Sequence, residues 1–177
     1  MTSVRGQVAV TRRSASPADI PFLRSLFADA HLELTCLPTD ARFVLVDMQF
    51  RAQRKQHAAS YPRATHEIVM ADGTEAGRVL IDRSADPIRV VDVSIALGHR
   101  RTGIAAGIIA DLTAEADADH RDIEATVWSG NTAAVALVEH NGFVAGTDEA
   151  GFVTYRRAPN LPAESPEERG DSARDRN

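Results

Sequence analysis

The stretch IRVVDVSIAL, residues 88–97, constrains the fold more than any other. It is the most β-branched run in the chain and apolar on both faces, so a sheet edge would leave one apolar row in water. It reads as the central strand of a sheet. GHRRTGIAAGII, residues 98–109, follows directly, and its Ala- and Ile-rich end continues as a helical pattern to about Ala118. The chain therefore passes from a buried strand through a short charged loop into a helix.

The flanking sequence supplies neighbours for that strand. QVAVTRR, residues 7–13, alternates like a strand, and Ser16, Pro17 and Asp19 form an N-cap, an N1 proline and a capping-box acid. Ile20, Leu23, Phe27 and Ala30 then recur at helical spacing as a buried stripe. After Pro38, Thr39 can cap a second helix that begins apolar, ends strongly polar and stops before Tyr61 and Pro62. Residues 65–73 and 75–83 are strand-like runs joined around Asp72 and Gly73 as a hairpin. If SADP, residues 84–87, is a four-residue turn, Asp82 falls opposite Arg89 and a cross-strand salt bridge is expected. IEATVW, residues 123–128, is a further strand, and a helix capped by Asn131 ends at Asn141 and Gly142. GFVAGT and FVTYRR close the pattern as a hairpin pair, and residues 158–177, which lack aromatic side chains, read as a disordered tail. The expectation is one α/β (α+β) domain over residues 1–157, with a mixed sheet and helices on both faces.

Composition narrows the partners. The 177 residues carry a net charge of −5, which does not favour nucleic acid or an anionic membrane. No apolar run approaches the roughly 20 residues that span a bilayer, and the N-terminus lacks a signal-peptide layout, so a soluble cytoplasmic protein is expected. Cys36 stands alone, and the six histidines show no HxxH or HExxH spacing, so no metal is expected. Cys36 reads as a quiet thiol.

The loop at residues 98–106 has the makings of an anion site. A helix N-terminus offers unpaired N–H groups and positive dipole potential. Gly103 lacks a Cβ, Ala105 and Ala106 stay small, and Arg100 and Arg101 add charge, so a phosphate or pyrophosphate would fit. A Walker A loop would need Gly-Lys-Ser/Thr at its end, and a Rossmann loop would need its glycine triplet near the first strand; neither condition is met.

The run Arg100-Arg101-Thr102-Gly103-Ile104-Ala105 resembles the Arg/Gln-x-x-Gly-x-Gly/Ala signature of the GCN5-related N-acetyltransferase (GNAT) superfamily. About thirty residues later, NTAAVALVEHNGF resembles that family's second signature. The resemblance implies a GNAT-like, mostly antiparallel sheet and an acetyl-CoA co-substrate. It implies that main-chain amides of the loop from Arg100 through Thr102, Gly103, Ile104 and Ala105 to Ala106 hold the pyrophosphate. Main-chain groups of Val93 and Ile95 would pair with the pantetheine arm in a cleft where two strands splay. Asn131 would contact that arm, although a plain helix cap explains it as well.

Acetyl transfer to an ammonium group needs a base, since the nitrogen cannot attack while protonated, and the departing thiolate can use an acid. The family pattern fails at both positions. Where a tyrosine acid is usual the chain has Val138, and where some members carry a glutamate base it has Arg89, which stays protonated. The nearest replacement base is Asp92, a carboxylate inside an apolar strand; its alternative role is a structural ion pair with an arginine or a hydrogen bond to a neighbouring strand. For the acid, Tyr155, Ser129 and His140 are the available groups, with Tyr155 foremost. His99 reads as a solvated loop residue.

The family places the acceptor site against the first two helices. Met48, Gln49, Phe50, Gln53 and Tyr61 could line it, although Met48 and Phe50 at helical spacing would ordinarily be core. The expected activity is acetyl transfer from acetyl-CoA to a primary amine of a small molecule or peptide by direct attack. The alternatives are a non-catalytic acyl-CoA-binding module and a transferase acting on a protein or aminoacyl-tRNA amine. A homodimer is possible on this reading.

Overall fold

A computed structural model describes residues 9–160. The N-terminal residues 1–8 and most of the expected tail, 161–177, lie outside it. The strands are β1 (Val10–Ser14), β2 (Thr65–Ala71), β3 (Thr74–Asp82), β4 (Ile88–Ile95), β5 (Ile123–Trp128), β6 (Val144–Glu149) and β7 (Phe152–Arg157). The helices are α1 (Ile20–Ala30), α2 (Thr39–Ser60), α3 (Ile104–Ala118) and α4 (Thr132–His140), with short 3₁₀ turns at Pro17–Asp19, Leu32–Cys36 and Leu97–His99. The strands form one sheet in the order β1-β2-β3-β4-β5-β7-β6, so IRVVDVSI does occupy the centre. β4 and β5 pair in parallel across the α3 crossover, and every other pairing is antiparallel.

The β pleat sorts the core into two layers. Ile68 faces one way and packs with Leu23 and Phe27 of α1 and Val46 and Phe50 of α2. Val69 faces the other way, into a larger cluster containing Ile104, Ile108 and Leu112 of α3, Val138 of α4, and Ile81, Val90 and Ala125 of the sheet. Helices α1 and α2 thus cover one face, and α3 and α4 the other. The β2–β3 hairpin turns at Asp72 (φ 48°) and Gly73 (φ 80°), the pair of positive φ values that a two-residue type I′ turn needs.

Local signals in the sequence hold with four corrections. Ser16 and Asp19 do cap the first helix: the Ser16 N–H donates to Asp19 Oδ2 at 2.6 Å, and Arg13 adds a two-pronged bond to the same carboxylate. The buried stripe of α1 includes Leu26 instead of Ala30, which is the last residue of the helix and exposed. Thr39 is the first residue of α2, and Pro38 occupies the cap position. Asp82 stands opposite Arg89, but the expected salt bridge does not form. Arg89 is also in register with Glu124 of β5 and pairs with it at 2.9 Å, while Asp82 accepts the Ser84 N–H. Met48 is exposed, whereas Phe50 is core.

Within the span read as tail, the Asn160 N–H still donates to Asp117 Oδ1 at 2.6 Å. Among the described residues no helix is long and apolar enough to cross a membrane.

Candidate active site

The site begins where the sheet comes apart. β4 pairs with β5 only through Ile88, Arg89 and Val90, whereas its pairing with β3 continues to Gly77 opposite Ile95. The divergence has a local cause. The β3–β4 register shifts after Val90, leaving Val91 as an extra residue, and such a bulge bends and twists its strand. β5 meanwhile stays paired with β7 as far as Trp128, so a wedge opens between β4 and β5. The Ala96 N–H donates to Ala76 O, and by antiparallel alternation Asp92 and Ser94 also direct their backbones at β3. Val93 and Ile95 therefore aim theirs into the wedge, where no strand meets them.

The wedge leads to the loop before α3. Arg101 (φ 64°) and Gly103 (φ 89°) are both left-handed, which folds the loop so that successive N–H groups converge. Among the described residues, no backbone N–H from Arg101 to Ala106 donates a hydrogen bond, and Gly107 N–H to Gly103 O is the first bond of the helix. A Cβ at Gly103 would meet open space, so what the position demands is its φ. Thr102 Oγ1 braces the loop by donating to His99 O at 2.6 Å. Arg100 is turned aside: its Nε donates to Ile95 O at 3.0 Å and its Nη2 to Asp29 O on α1. Its charge still borders the loop, but it straps the rim of the wedge to α1.

The remaining expected residues spread around this frame. Asn131 caps α4, with Oδ1 accepting the Ala134 N–H at 3.2 Å. Val138 and Tyr155 lie in the same buried cluster on the α3/α4 side, and Tyr155 is in register with Ala125, the last β5 residue paired to β4. Ser129 sits in an exposed turn and His140 on the exposed last turn of α4.

Asp92 lies on the other side of the sheet, facing α2. It accepts from Arg78 Nε at 2.5 Å and from Ser94 Oγ, which is the ion-pair alternative anticipated from the sequence. Arg78 is only 4% exposed, and its Nη2 reaches Gln53 Oε1 on α2 at 3.0 Å. Two histidines that the sequence did not single out share this cluster. His57 follows Gln53 by one helical turn, and His66 on β2 has a buried Nε2 with no partner. Burial pushes both imidazoles below the usual histidine range; Arg78 reinforces the shift and Asp92 opposes it. One signal was available: Arg78 interrupts the apolar run of β3, and a buried arginine requires a carboxylate nearby.

No family model matches the sequence, and no curated protein does. Solved structures do. The PaiA N-acetyltransferase of Thermoplasma acidophilum, in complex with coenzyme A, is 10% identical with a TM-score of 0.65, covering 85% of this chain and 99% of its own. An acetyltransferase of the GNAT family from Streptococcus pneumoniae is 19% identical at TM-score 0.55, covering 86% and 100%. The ribosomal-protein-S18-alanine N-acetyltransferase of Escherichia coli is 18% identical at 0.60, covering 88% and 97%.

Proposed function

We propose that this chain, which has the GNAT fold, is an N-acetyltransferase that passes the acetyl group of acetyl-CoA to a primary amine by direct attack. The observation that carries the proposal is the wedge that opens beyond Val90 and Ala125 and runs into a loop of unpaired amides. An anion needs such a loop, and an extended amide chain needs a strand edge such as that of Val93 and Ile95. In this reading the amides from Arg101 to Ala106 hold the pyrophosphate, with Arg100 and Arg101 supplying positive potential. Val93 and Ile95 align the pantetheine arm, and Asn131 borders it. Bound this way, acetyl-CoA supplies the electrophilic thioester carbonyl. Tyr155, in the cluster that holds Val138 and in register with Ala125 where the wedge begins, is the phenol assigned in this reading to protonate the departing thiolate.

The α3/α4 face is filled by core, so the amine must arrive from the α2 face, over Arg89, Glu124 and Thr126. A small-molecule or peptide amine suits a cleft open to solvent on this side. One neighbour of this fold is named for acetylating a ribosomal-protein alanine, which keeps a protein amine as the alternative acceptor. The second reading, a non-catalytic acyl-CoA-binding module, is favoured by Val138 and Arg89 at the usual acid and base positions.

Calorimetry with acetyl-CoA tests the donor site. Wild type should bind, and Gly103→Glu should weaken binding at least about 100-fold, since a carboxylate would meet the phosphates from a strained backbone position. Equal affinities would refute the placement. Release of CoA thiol across a panel of polyamines, aminoglycosides, amino acids and peptides separates the enzyme from the module.

A further inference from the structure

Two contacts fix the path of α2 over β4. Gln53 bonds Arg78, which is in register with Ser94, and Tyr61 lies under the Arg89 guanidinium at 5.9 Å from its ring centroid. Helix α2 thus crosses the β3–β4 pair from Gln53, which meets the guanidinium that Asp92 holds, to Tyr61 beside Arg89 at the start of β4. His57 lies between them, one helical turn after Gln53 and four residues before Tyr61, which follows the last helical residue Ser60. The stretch of β4 between those contacts, Arg89 to Asp92, is where the strand bulges at Val91 and leaves β5. With Arg78 and Asp92 acting on it, His57 stands on the α2 face of the sheet beside the stretch of β4 that leaves β5, the face from which the amine arrives in the reading above.

We propose that His57 is the base that takes the proton from the incoming ammonium, with Arg78, Asp92 and His66 as positioning residues; this rests on the acetyl-transfer reading above. Asp92 is committed to Arg78 and Ser94, and its role is to hold Arg78 beneath the imidazoles. Arg78 cannot lose its proton, so it disfavours a second positive charge beside it and keeps a histidine ready to accept. The charged or titratable groups that act on His57 are Arg78 of β3 and Asp92 of β4, and His66 of β2 adjoins it in the cluster; Arg54 of α2 acts on His66.

The step balances simply. The imidazole nitrogen takes one proton from R–NH₃⁺, directly or through a water, and the freed lone pair forms the C–N bond at the thioester carbonyl. Collapse breaks the C–S bond, the Tyr155 phenol gives its proton to the thiolate sulfur and is reprotonated by the second nitrogen proton, and the imidazolium returns its proton to solvent.

The test compares two nucleophiles at saturating acetyl-CoA. Hydroxylamine is largely unprotonated at neutral pH and needs no base; the alkylamines of the panel are protonated and do. His57→Gln should lower kcat/KM for the best alkylamine about 100-fold or more and abolish the imidazole limb of its pH profile. Acetohydroxamate formation and CoA affinity should stay within about threefold of wild type, and free imidazole should restore alkylamine transfer in part. His66→Gln should move the limb without removing it. If His57→Gln melts early, His57→Asn serves in its place. An unchanged pH limb, an equal fall with both nucleophiles, or wild-type transfer to hydroxylamine but to no alkylamine overturns the proposal and leaves the donor site standing. A wild type that does not bind CoA overturns the acetyl-transfer reading itself, and this one with it.

Discussion

Arg78 is the residue on which the unusual half of the site depends. Its side chain is 5% exposed and Asp92 its only carboxylate partner among the described residues, so removing the acid strands a charge inside the fold. Asp92→Leu should cost about 3 kcal/mol of stability in urea unfolding, the scale for a buried pair broken on one side. The double change Arg78→Met/Asp92→Leu should recover most of that loss, because no buried charge then remains unpaired. A double variant no more stable than Asp92→Leu would show that the cluster, including Gln53, stabilises as a unit. Little of this was legible in the sequence. Asp92 stood out as a carboxylate in an apolar strand, but its partner lies fourteen positions away on β3, His66 joins it through the β2–β3–β4 register, and His57 only through the crossing of α2 over the sheet. Register and helix crossing are tertiary facts, and local pattern carries neither.

At the scale of elements the sequence was far more readable, because caps and turns are written in neighbouring residues. Asn131 caps α4, and Gly142 ends it with a left-handed φ of 81° while the Phe143 N–H reaches back to Val138 O, as the Asn-Gly-Phe ending led one to expect. The wedge could be anticipated only through family resemblance; its cause, the bulge at Val91, depends on pairing with β3. Val138 belongs to this scale too. Its side chain is 4% exposed in the α3/α4 core, so Val138→Tyr has to force a ring among packed neighbours. That should cost about 1–3 kcal/mol, measured by thermal melting. A neutral effect on stability would mean that the α4 side of the wedge has room for the ring.

Taken whole, the molecule is a sheet torn open on one side of its centre and closed elsewhere. Nothing in the strand ladder bridges β4 and β5 beyond Val90, so a ligand seated there acts as the missing strand and should be read out in global stability. At about 100 times its Kd, acetyl-CoA should add roughly 2.7 kcal/mol. For a chain of this size that corresponds to a rise in Tm of about 5–10 °C. Gly103→Glu should abolish the rise. A full rise in that variant would place the binding elsewhere.

The same tear leaves the outer half of the α2-side face bare. Trp128 closes β5 there, 57% exposed, opposite Phe152 and leaning over Gly130. It is the sole tryptophan of the chain. The protein thus carries its own optical gauge beside the wedge, three residues before Asn131: with acetyl-CoA already bound, a further shift of emission to shorter wavelength should mark an amine that settles against the indole. Acceptors could be ranked by fluorescence before any turnover is seen.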